Sequence, residues 1–376
     1  MTDTVLRYSD DELLLRDACR TVLQRDFPTS WVRSVMATNG PWPEQWSKFS
    51  DLGWTGLTVP ETHGGLGFGL RELSVVAEEF GRAVQPGPFL ASSVVALAAA
   101  ELGGTSSSAL DLTALATGDL VGTWSVDVEG SDGTVTAVPD SRRAGAWRLC
   151  GTRSFVPDAD HASILMIDAS EGEQQRLFVV PLDANGVTTR AHVTADLGRR
   201  YSQLQFDHVV LDSASVLTTR DSARQWLANA GTVVQCAESL GAAEHLVEMT
   251  VTFALQRHQF GRAIGSFQAI KHRIADMRIR VQAGRAAVRY AAWAVAAHRP
   301  DATRAVHVAK QWIGESTSWV AGEALQVHGG IGFTWEHDLH LYLRRLKANE
   351  LTLGTPDWHS QRLGDWCLCP QSGGGA

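Results

Sequence analysis

The feature that most constrains the fold is a change of sequence texture, in which one strand-like block separates two helical blocks. From about Thr117 the chain becomes a series of short runs rich in β-branched and aromatic residues, divided by Gly, Asp and Pro. Such runs are typical of strands joined by hairpins, as at Ser131-Asp-Gly133. The block continues for about 100 residues, which predicts an antiparallel β-barrel or sandwich.

The two flanking blocks show helical patterns. Ser9 and Glu12 form a predicted capping box that begins a helix on the N-terminal side. From about Asp221, four long helical stretches with short links predict a four-helix bundle. At 376 residues the chain is too long for one small core, so two or three domains are expected. The helical, strand-like and helical blocks predict three. These are a helical N-terminal domain at 1–117, a β-domain at 118–217, and the bundle at 218–376 with a disordered tail, CLCPQSGGGA.

Composition limits the possible partners and location. A net charge of -8 without any run of Lys or Arg argues against nucleic-acid binding. The sequence begins without a basic segment and apolar core, so we expect no signal peptide. We also expect no membrane span, because no apolar run reaches the roughly 18 residues required. The five cysteines are scattered, which is typical of a cytoplasmic protein with reduced thiols.

A glycine-rich loop in the N-terminal block matches a phosphate-binding loop in composition only. Gly64, Gly65, Gly67 and Gly69 lie between helical stretches. A dinucleotide-binding fingerprint instead follows a strand inside a βαβ unit. We therefore interpret this segment as a structural loop.

Two polar, glycine-containing corners stand out in the bundle region. Gln256–Met277 reads QRHQFGRAIGSFQAIKHRIADM, and Gln326–Phe333 reads QVHGGIGF. Either one alone fits an ordinary helix corner, where a glycine ends a helix. Together they suit a large anionic ligand that lies across helix ends. Arg257 offers a planar charge to phosphate oxygens, and Gly329 and Gly330 allow close approach to the backbone.

These corners resemble those of the acyl-CoA dehydrogenase family. The resemblance lies in R-x-Q-F-G-x-x-I-x-x-F-Q-x-x-K-x-x-x-A-D-M followed by Q-x-x-G-G-x-G-F, and it extends through nearly the whole chain. Members of this family remove hydrogen between Cα and Cβ of an acyl-CoA. A carboxylate takes the α-proton, and N5 of FAD accepts the β-hydride. The resemblance implies a mixed fold with the three domains above, and dimers or pairs of dimers.

In the family the FAD ring rests on one subunit, and the neighbouring subunit holds the ADP half. The resemblance implies that the polar, aromatic and glycine positions of both corners hold a neighbour's FAD. These residues are Arg257, Gln259, Phe260, Gln268, Gln326, Gly329 and Gly330. Each has a side chain or backbone suited to phosphate or adenine. His258 and His272 flank this corner, and we expect both at the surface.

The catalytic half of the family's site departs from the pattern. The base usually lies in an E-G-T loop, and this chain has Leu353-Gly354-Thr355 at that spacing. In other members the base lies early in the first bundle helix, where this chain has Gly231. The resemblance therefore implies that neither usual base position carries a carboxylate.

The segments that contact the flavin ring depart as well. Trp124–Val128 stands where the family has a T-E-P segment, and Phe155–Pro157 stands where it has W-I-T. Pro157 has neither a backbone N–H nor a hydroxyl to reach the ring. Base and ring contacts are thus lost together, while the residues that serve a neighbour are retained.

This combination resembles the non-catalytic member of heteromeric acyl-CoA dehydrogenases, such as the paired-subunit enzymes of bacterial steroid side-chain degradation. We hypothesise that the chain supplies the ADP-side grip on FAD to a homologous catalytic subunit, most simply in a heterotetramer. The complex would act on an acyl-CoA and reduce an electron-transfer flavoprotein or a similar acceptor.

Three alternatives stay open. The chain could be a self-sufficient homo-oligomeric dehydrogenase with a different base, for which Glu350 is the candidate if its helix continues to Leu353. It could be a related flavin monooxygenase, or a scaffold without flavin. Glu238 and Glu244 read as charges on the bundle surface. Glu336, His337 and His340 read as helix-start residues, and we expect no metal.

Overall fold

The computed structural model describes residues 5–38, 42–102, 110–129, 133–218 and 221–368. The predicted turn at Ser131 and the tail beyond Leu368 lie outside these ranges. Contacts divide the chain into two compact units. The helical unit comprises Met1–Thr29, Ser74–Val84 and Gln235–Ala376, and the sheet unit comprises Ser30–Leu73 and Gln85–Val234. The three-domain boundaries of the sequence analysis stay a prediction.

The predicted run of strands forms one sheet in the sheet unit. Its strands are β1 (Gly122–Ser125), β2 (Val135–Pro139), β3 (Trp147–Pro157), β4 (Ile164–Glu171), β5 (Gln174–Pro181), β6 (Val187–Ala191), β7 (Tyr201–Leu211) and β8 (Val216–Thr218). Their order is β6-β7-β3-β2-β4-β5-β8, and β1 pairs with β4 outside this path.

The sheet is mixed, whereas the sequence predicted an antiparallel one. β1 runs parallel to β4, and β2 makes one parallel pairing with β4 at Thr136 and Ser170. The β2–β3 hairpin returns the chain to the end of the sheet where β1 began, so β4 runs in the same direction as β1. Alternation of apolar residues specifies the faces of a strand but not the direction of its partner, and the sequence pattern could not distinguish the two.

A continuous apolar core lies against the sheet. Six successive residues of β4 are buried, whereas β6 is mostly exposed, as expected for a strand at the end of the order. The core cluster consists of Val135, Ala137, Leu149, Val156, Ala159, Leu165, Ile167, Ala169, Phe178, Val180, Leu204, Phe206, Val209 and Leu211. Burial of these side chains is the main stabilising contribution in this unit.

Helices account for most of the remaining described residues. They are α1 (Asp10–Asp26), α2 (Thr29–Thr38), α3 (Pro43–Asp51), α4 (Leu70–Arg82), α5 (Phe89–Glu101), α6 (Leu112–Thr117), α7 (Asp221–Gln256), α8 (Gln268–Ala296), α9 (Ala302–His328), α10 (Leu339–Leu351) and α11 (Pro356–Leu368). The predicted capping box of α1 is present, with Glu12 N donating to Ser9 Oγ at 3.1 Å and Ser9 N donating to a Glu12 carboxylate oxygen at 2.7 Å. No helix of the described residues is long and apolar enough to cross a membrane.

The four long helices predicted from about Asp221 onward are present, and a fifth helix follows them. α7, α8, α9 and α10 correspond to the predicted bundle, and α11 follows and packs on α9. α11 extends to Leu368, so Cys367 and Leu368 of the predicted disordered tail are helical.

Two glycines allow α4 and α7 to cross at close range within the helical unit. A Cβ built on Gly81 would stand 1.8 Å from Glu238 O, and a Cβ built on Gly241 would stand 1.8 Å from Glu78 O. The two backbones are therefore in direct contact, which only glycine permits on both sides. This crossing fixes the position of the middle of α7, the part of the helix that carries Glu238 and Glu244.

Candidate functional site

The first polar corner of the helical unit is a tight hairpin between α7 and α8. β9 (His258–Gln259) and β10 (Arg262–Ala263) pair in antiparallel fashion around the two-residue turn Phe260-Gly261. Both turn residues have positive φ, 52° for Phe260 and 78° for Gly261, as a mirror-image hairpin turn requires. The Phe260 side chain is 92% exposed and lies edge-on to Phe267. A bulky residue in this conformation costs about 1–3 kcal/mol, which the pairing of β9 with β10 offsets by fixing the turn.

Arg257 stands at the base of this hairpin with a fixed backbone and an open side chain. Its N–H donates to Phe253 O at 2.8 Å, and its carbonyl accepts from Ile264 N at 2.8 Å. Its guanidinium is exposed and bonds to no side chain or backbone group among the described residues. Gln259 and Gln268 are exposed as well. The corner thus presents the guanidinium of Arg257 and the two amides to solvent, together with the exposed cations Arg262 and Lys271.

The second corner follows the end of α9. Gly329 has φ 61° and ψ -142°, a backbone conformation open essentially only to glycine. A Cβ built on Gly329 or on Gly330 would meet no atom within 4 Å. Gln326 is exposed one turn earlier. The backbone here borders free space, which a ligand can approach closely.

An aromatic stack joins the two corners. The ring of Phe253, one turn before Arg257, lies 4.4 Å from the His328 ring at an angle of 25°. His328 Nδ1 donates to Ala324 O at 2.7 Å. Burial lowers the pKa of His328, which keeps the ring uncharged in this stack. The structure therefore brings the seven predicted grip residues to one end of the helical unit.

Exposed apolar side chains surround this end. Their exposed fractions are 65% for Leu255, 48% for Ile331, 75% for Phe333 and 54% for Trp335. Trp335 is held by a parallel stack on His340 at 4.5 Å and by Arg344, 4.7 Å from its ring. Large exposed apolar residues grouped around a polar corner are characteristic of protein–protein contact sites.

The position of Gly231 in the sheet unit is closed by Trp124. A Cβ built on Gly231 would stand 2.0 Å from Trp124 Cζ2 and 2.1 Å from Cη2. The Trp124 side chain is buried, with 6% exposure. No side chain larger than hydrogen fits at position 231 while the indole keeps this place. The sequence indicated that a carboxylate is missing here, but not that a second residue occupies its space.

The loop at Leu353, the other usual position of the base, is held by a pair of buried histidines. Leu353 and Gly354 both have positive φ, 59° and 87°. Leu353 O accepts from His359 Nε2 at 2.9 Å, and His359 Nδ1 lies 2.6 Å from His307 Nδ1. Because a carbonyl can only accept, His359 carries its proton on Nε2, and His307 donates from Nδ1. Burial lowers the pKa of His359 to about 3 and that of His307 to about 4.

Glu350 does not share a helical face with Leu353, because α10 ends at Leu351. The Glu350 carboxylate accepts from Lys347 Nζ at 2.6 Å and from Ser318 Oγ at 2.5 Å. The helical continuity that would make it a candidate base is therefore absent. Glu350 is a half-buried carboxylate that is held by hydrogen bonds to neighbouring side chains.

The prediction that Glu238 lies on the surface is wrong. Its side chain is 1% exposed, and it accepts from Arg345 Nη1 at 2.7 Å and from Asn349 Nδ2 at 3.0 Å. Glu244 is also more buried than predicted and accepts from Arg278 Nη1 at 2.8 Å. Their partners lie far away in sequence, so local composition gave no signal of this burial. Both carboxylates are engaged by cations.

The second predicted ring-contact segment ends β3. Phe155 has φ 55° and follows a register shift between Arg153 and Val156 in the pairing with β7. Its ring is 47% exposed and stacks on His192 at 5.0 Å. Pro157 offers no donor at this strand end. The exposed surface here is aromatic.

The predicted helix-start residues serve local structure. His337 Nδ1 accepts from Leu339 N at 3.1 Å, and His340 Nε2 donates to Trp335 O at 3.2 Å. Across residues 5–38, 42–102, 110–129, 133–218 and 221–368, no group of three or more His, Cys, Asp or Glu is placed to hold a metal ion.

Comparison with known proteins agrees with this geometry. Residues 9–119 match the family described as "Acyl-CoA dehydrogenase, N-terminal domain", and residues 223–368 match "Acyl-CoA dehydrogenase, C-terminal domain". Acyl-CoA dehydrogenase IpdE2 of Mycolicibacterium smegmatis is 31% identical over 357 residues, which cover 94% of this chain and 98% of the relative. Acyl-CoA dehydrogenase FadE27 of Mycobacterium tuberculosis is 33% identical over 331 residues, with coverage of 85% and 87%.

Two solved structures extend the comparison to complexes of two differently named proteins. The ChsE4-ChsE5 complex from Mycobacterium tuberculosis contains a chain with a TM-score of 0.89 at 28% identity, covering 96% of this chain and 98% of that chain. A Tcur3481-Tcur3483 steroid ACAD gives a TM-score of 0.88 at 29% identity, with coverage of 97% and 99%. The predicted fold class is thereby confirmed. The chain belongs to the acyl-CoA dehydrogenase family of flavoprotein oxidoreductases.

Proposed function

We propose that this chain is the base-less partner subunit of a heteromeric acyl-CoA dehydrogenase. In this proposal it supplies the ADP-side contacts for the FAD of a homologous catalytic subunit. The complex carries out α,β-dehydrogenation of an acyl-CoA thioester and passes electrons to an electron-transfer flavoprotein or a similar acceptor.

The observation that carries the proposal is the indole of Trp124 beside Gly231. A base at position 231 needs a side chain of several atoms, and even a Cβ would overlap the ring at 2.0 Å. Trp124 also belongs to the segment that contacts the flavin ring in relatives. One buried side chain thus takes the space of the base and changes the ring-contact segment, which supports loss of both roles together.

The second base position supports the same proposal. Leu353 has no titratable group, and the loop is held through its carbonyl by His359. His359 and His307 stay neutral at pH 7 because burial lowers both pKa values. The His359 ring nitrogens are engaged by Leu353 O and His307 Nδ1, so neither is free to take a substrate proton.

The residues of the two corners fit the ADP half of FAD. When bound, FAD would supply acceptance of the substrate hydride. In this chain, Arg257 would donate charge-assisted hydrogen bonds to phosphate oxygens. Gly329 and Gly330 would leave room for the ligand beside the backbone. Phe260 would contribute an exposed ring to the contact with the catalytic subunit.

The comparisons support a partner that is not a second copy of this chain. Both the ChsE4-ChsE5 complex and the Tcur3481-Tcur3483 steroid ACAD pair two differently named proteins. The exposed apolar residues around the corners offer a surface for such a partner. A steroid-derived acyl-CoA is the substrate class that the second of these relatives suggests.

The first test is the flavin content of the chain purified alone and after co-expression with a catalytic family member. We expect a colourless lone chain and a yellow complex that contains one FAD for each pair of subunits. The complex should oxidise an acyl-CoA with an artificial electron acceptor. A lone chain that binds stoichiometric FAD and oxidises an acyl-CoA would contradict the proposal and favour a self-sufficient homo-oligomer.

The second test removes the cation of the grip. Arg257→Ala in the complex should lower the affinity for FAD by about 10-fold or more, because a hydrogen bond to a charged group contributes roughly 1.5–3 kcal/mol. Arg304→Ala, which removes an exposed cation of α9, is the matched control. Equal flavin retention in both variants would show that Arg257 makes no contact with the cofactor and would favour the scaffold alternative.

A further inference from the structure

A thiol and an imidazole meet on the outer face of the sheet unit. Cys150 on β3 and His208 on β7 lie on adjacent strands, with Cys150 Sγ 3.2 Å from His208 Nδ1. Leu149, the residue before Cys150, belongs to the apolar core, so Cys150 faces away from that core. Cys150 is half-buried, and the His208 side chain is 69% exposed. Nothing in the proposed flavin function uses either residue.

A β-bulge places the imidazole beside the thiol. The pairing of β3 with β7 shifts register at Cys150, which stands opposite two residues of β7, Asp207 and His208. His208 has φ 54°, a conformation that histidine adopts more readily than most residues. Asp207 N donates to Gly186 O at 2.9 Å, which ties the bulge to the neighbouring loop. The backbone therefore holds the ring at the thiol.

This contact suits transfer of a proton from the thiol. A thiol becomes a good nucleophile when it loses its proton, and a neutral imidazole nitrogen within hydrogen-bond distance can take that proton. The Asp207 carboxylate lies 3.9 Å from the other ring nitrogen, Nε2. This distance is too long for a hydrogen bond but short enough for the negative charge to act on the ring. Nucleophile, base and carboxylate thus follow one another across the bulge.

The other described cysteines lack this combination. Cys19 and Cys236 are buried, and burial raises the pKa of Cys236 to about 12. Cys367 is exposed near the end of α11. Among the cysteines that the structure describes, Cys150 alone has both access to solvent and an imidazole nitrogen in contact with its sulfur.

We propose that Cys150 is a nucleophilic thiol that undergoes exchange with small disulfides. His208 Nδ1 takes the thiol proton as Cys150 Sγ attacks one sulfur of the disulfide. A new S–S bond joins Cys150 to one half of the disulfide, and the original S–S bond breaks. The other half leaves as a thiolate and receives the proton from His208. The disulfide is the only oxidant, and a free thiol reverses the reaction.

The test uses the full-length chain with Cys367→Ser and Cys369→Ser, and dithiodipyridine as the probe. The probe is an uncharged disulfide, which the Asp207 carboxylate does not repel. We expect release of one thiopyridone per chain, with the adduct located on Cys150 by mass spectrometry and absent after Cys150→Ser. A folded chain that gives no adduct on Cys150 overturns the proposal.

The pH dependence of the rate separates assistance by His208 from simple exposure. A free imidazole loses its proton near pH 6.5 and a free thiol near pH 8.5. An unassisted thiol therefore reacts about 10-fold faster for each pH unit gained between these values. With His208 as the base, the rate should rise less than about 3-fold between pH 7 and pH 8, because a neutral imidazole is already available at pH 7.

A substitution at His208 tests the base directly. His208→Asn keeps a residue that tolerates positive φ but cannot take the thiol proton. At pH 7 it should lower the exchange rate by about 10-fold and restore the steeper pH dependence. His272→Asn, at an exposed position on α8, is the matched control and should change neither.

Equal rates and equal pH slopes in the parent chain and in His208→Asn would show that His208 does not assist the thiol, which overturns the proposal. None of these measurements depends on FAD or on a partner subunit. The proposal can therefore fail while the proposed function stands.

Discussion

Two glycine sites in the molecule have opposite surroundings. At Gly329 and Gly330, in the helical unit, a Cβ would meet nothing within 4 Å. At Gly231, in the sheet unit, it would stand 2.0 Å from the Trp124 indole. Gly329 and Gly330 border open space that a group outside the chain can occupy. The space beside Gly231 is filled by the Trp124 side chain of the same chain. Absence of a side chain therefore marks an open site in one case and a closed site in the other.

The largest effect is expected at the closed site. Gly231→Ala should destabilise the chain by about 3 kcal/mol, because overpacking a buried contact costs roughly 1–3 kcal/mol and the overlap with Trp124 is severe. Chemical unfolding monitored by far-ultraviolet circular dichroism measures the change.

The control is Gly322→Ala, at an exposed helical position where a Cβ meets nothing within 4 Å. It should leave stability unchanged or raise it by up to about 1 kcal/mol, because alanine favours helix over glycine. If the Gly231→Ala variant is as stable as the Gly322→Ala variant, Trp124 does not close position 231. The difference drawn between the closed and the open glycine sites would then be wrong.

A substitution at the open site, Gly330, should change cofactor binding and leave the stability of the chain nearly unchanged. Gly330→Leu should change the unfolding free energy of the lone chain by less than about 0.5 kcal/mol, as for most surface substitutions. In a complex with a catalytic subunit, the same change should lower FAD retention by about 10-fold, since the side chain takes the space left for the ligand. Flavin release after dilution, followed by fluorescence, measures this. Retention equal to that of the unmodified complex would remove the distinction between the two glycine sites.

The loop at Leu353 should lose stability in acid. Burial holds the pKa values of His359 and His307 at about 3 and about 4, below the ordinary value of about 6.5 in an unfolded chain. Their contribution to stability is complete above pH 6.5 and is lost as the pH falls towards these folded values. The loss is at most about 1.4 kcal/mol per pH unit for each histidine.

Urea unfolding at pH 7, 6 and 5 measures this slope. His359→Gln keeps a donor for Leu353 O and should flatten the slope, whereas His272→Gln should not. A slope identical in all three proteins would mean that the pair stays protonated or solvated in the folded chain.

The smallest effect is expected at the hairpin tip of the open corner. Phe260→Asn should stabilise the lone chain by about 0.5–1 kcal/mol, because asparagine adopts positive φ at lower cost than phenylalanine. The same variant should weaken association with a catalytic subunit, since a large exposed ring is lost. Thermal unfolding and analytical ultracentrifugation measure the two effects. A variant that is less stable alone and associates normally would show that Phe260 serves the fold and not the partner.

Local patterns in the sequence were enough for most of the architecture. The texture change near Thr117 predicted the sheet, and Ser9 with Glu12 predicted the start of α1. Spacing within each corner predicted the exposed grip residues as a group, although their role in holding FAD stays a prediction. These features depend on residues close together in the chain, where periodicity and capping act.

Features that depend on distant residues could not be predicted. The contact between Trp124 and Gly231 joins a strand to a helix begun about a hundred residues later, and the burial of Glu238 depends on Arg345 and Asn349. The direction of β1 against β4 is a matter of topology, which side-chain alternation does not encode. α11 was missed because its sequence, PDWHSQRLGDWCL, lacks the continuous apolar stripe of the earlier helices.

The exposed ring of Phe260 and its apolar neighbours have a consequence for how the cell must make this protein. If the proposed partner subunit covers these residues, a chain released from the ribosome without it carries Leu255, Phe333 and Trp335 exposed at one end of the helical unit. Such surfaces are recognised by chaperones and proteases, which remove unassembled chains. Under the proposed function, we expect the abundance of this protein to follow the supply of the catalytic subunit and not its own rate of synthesis.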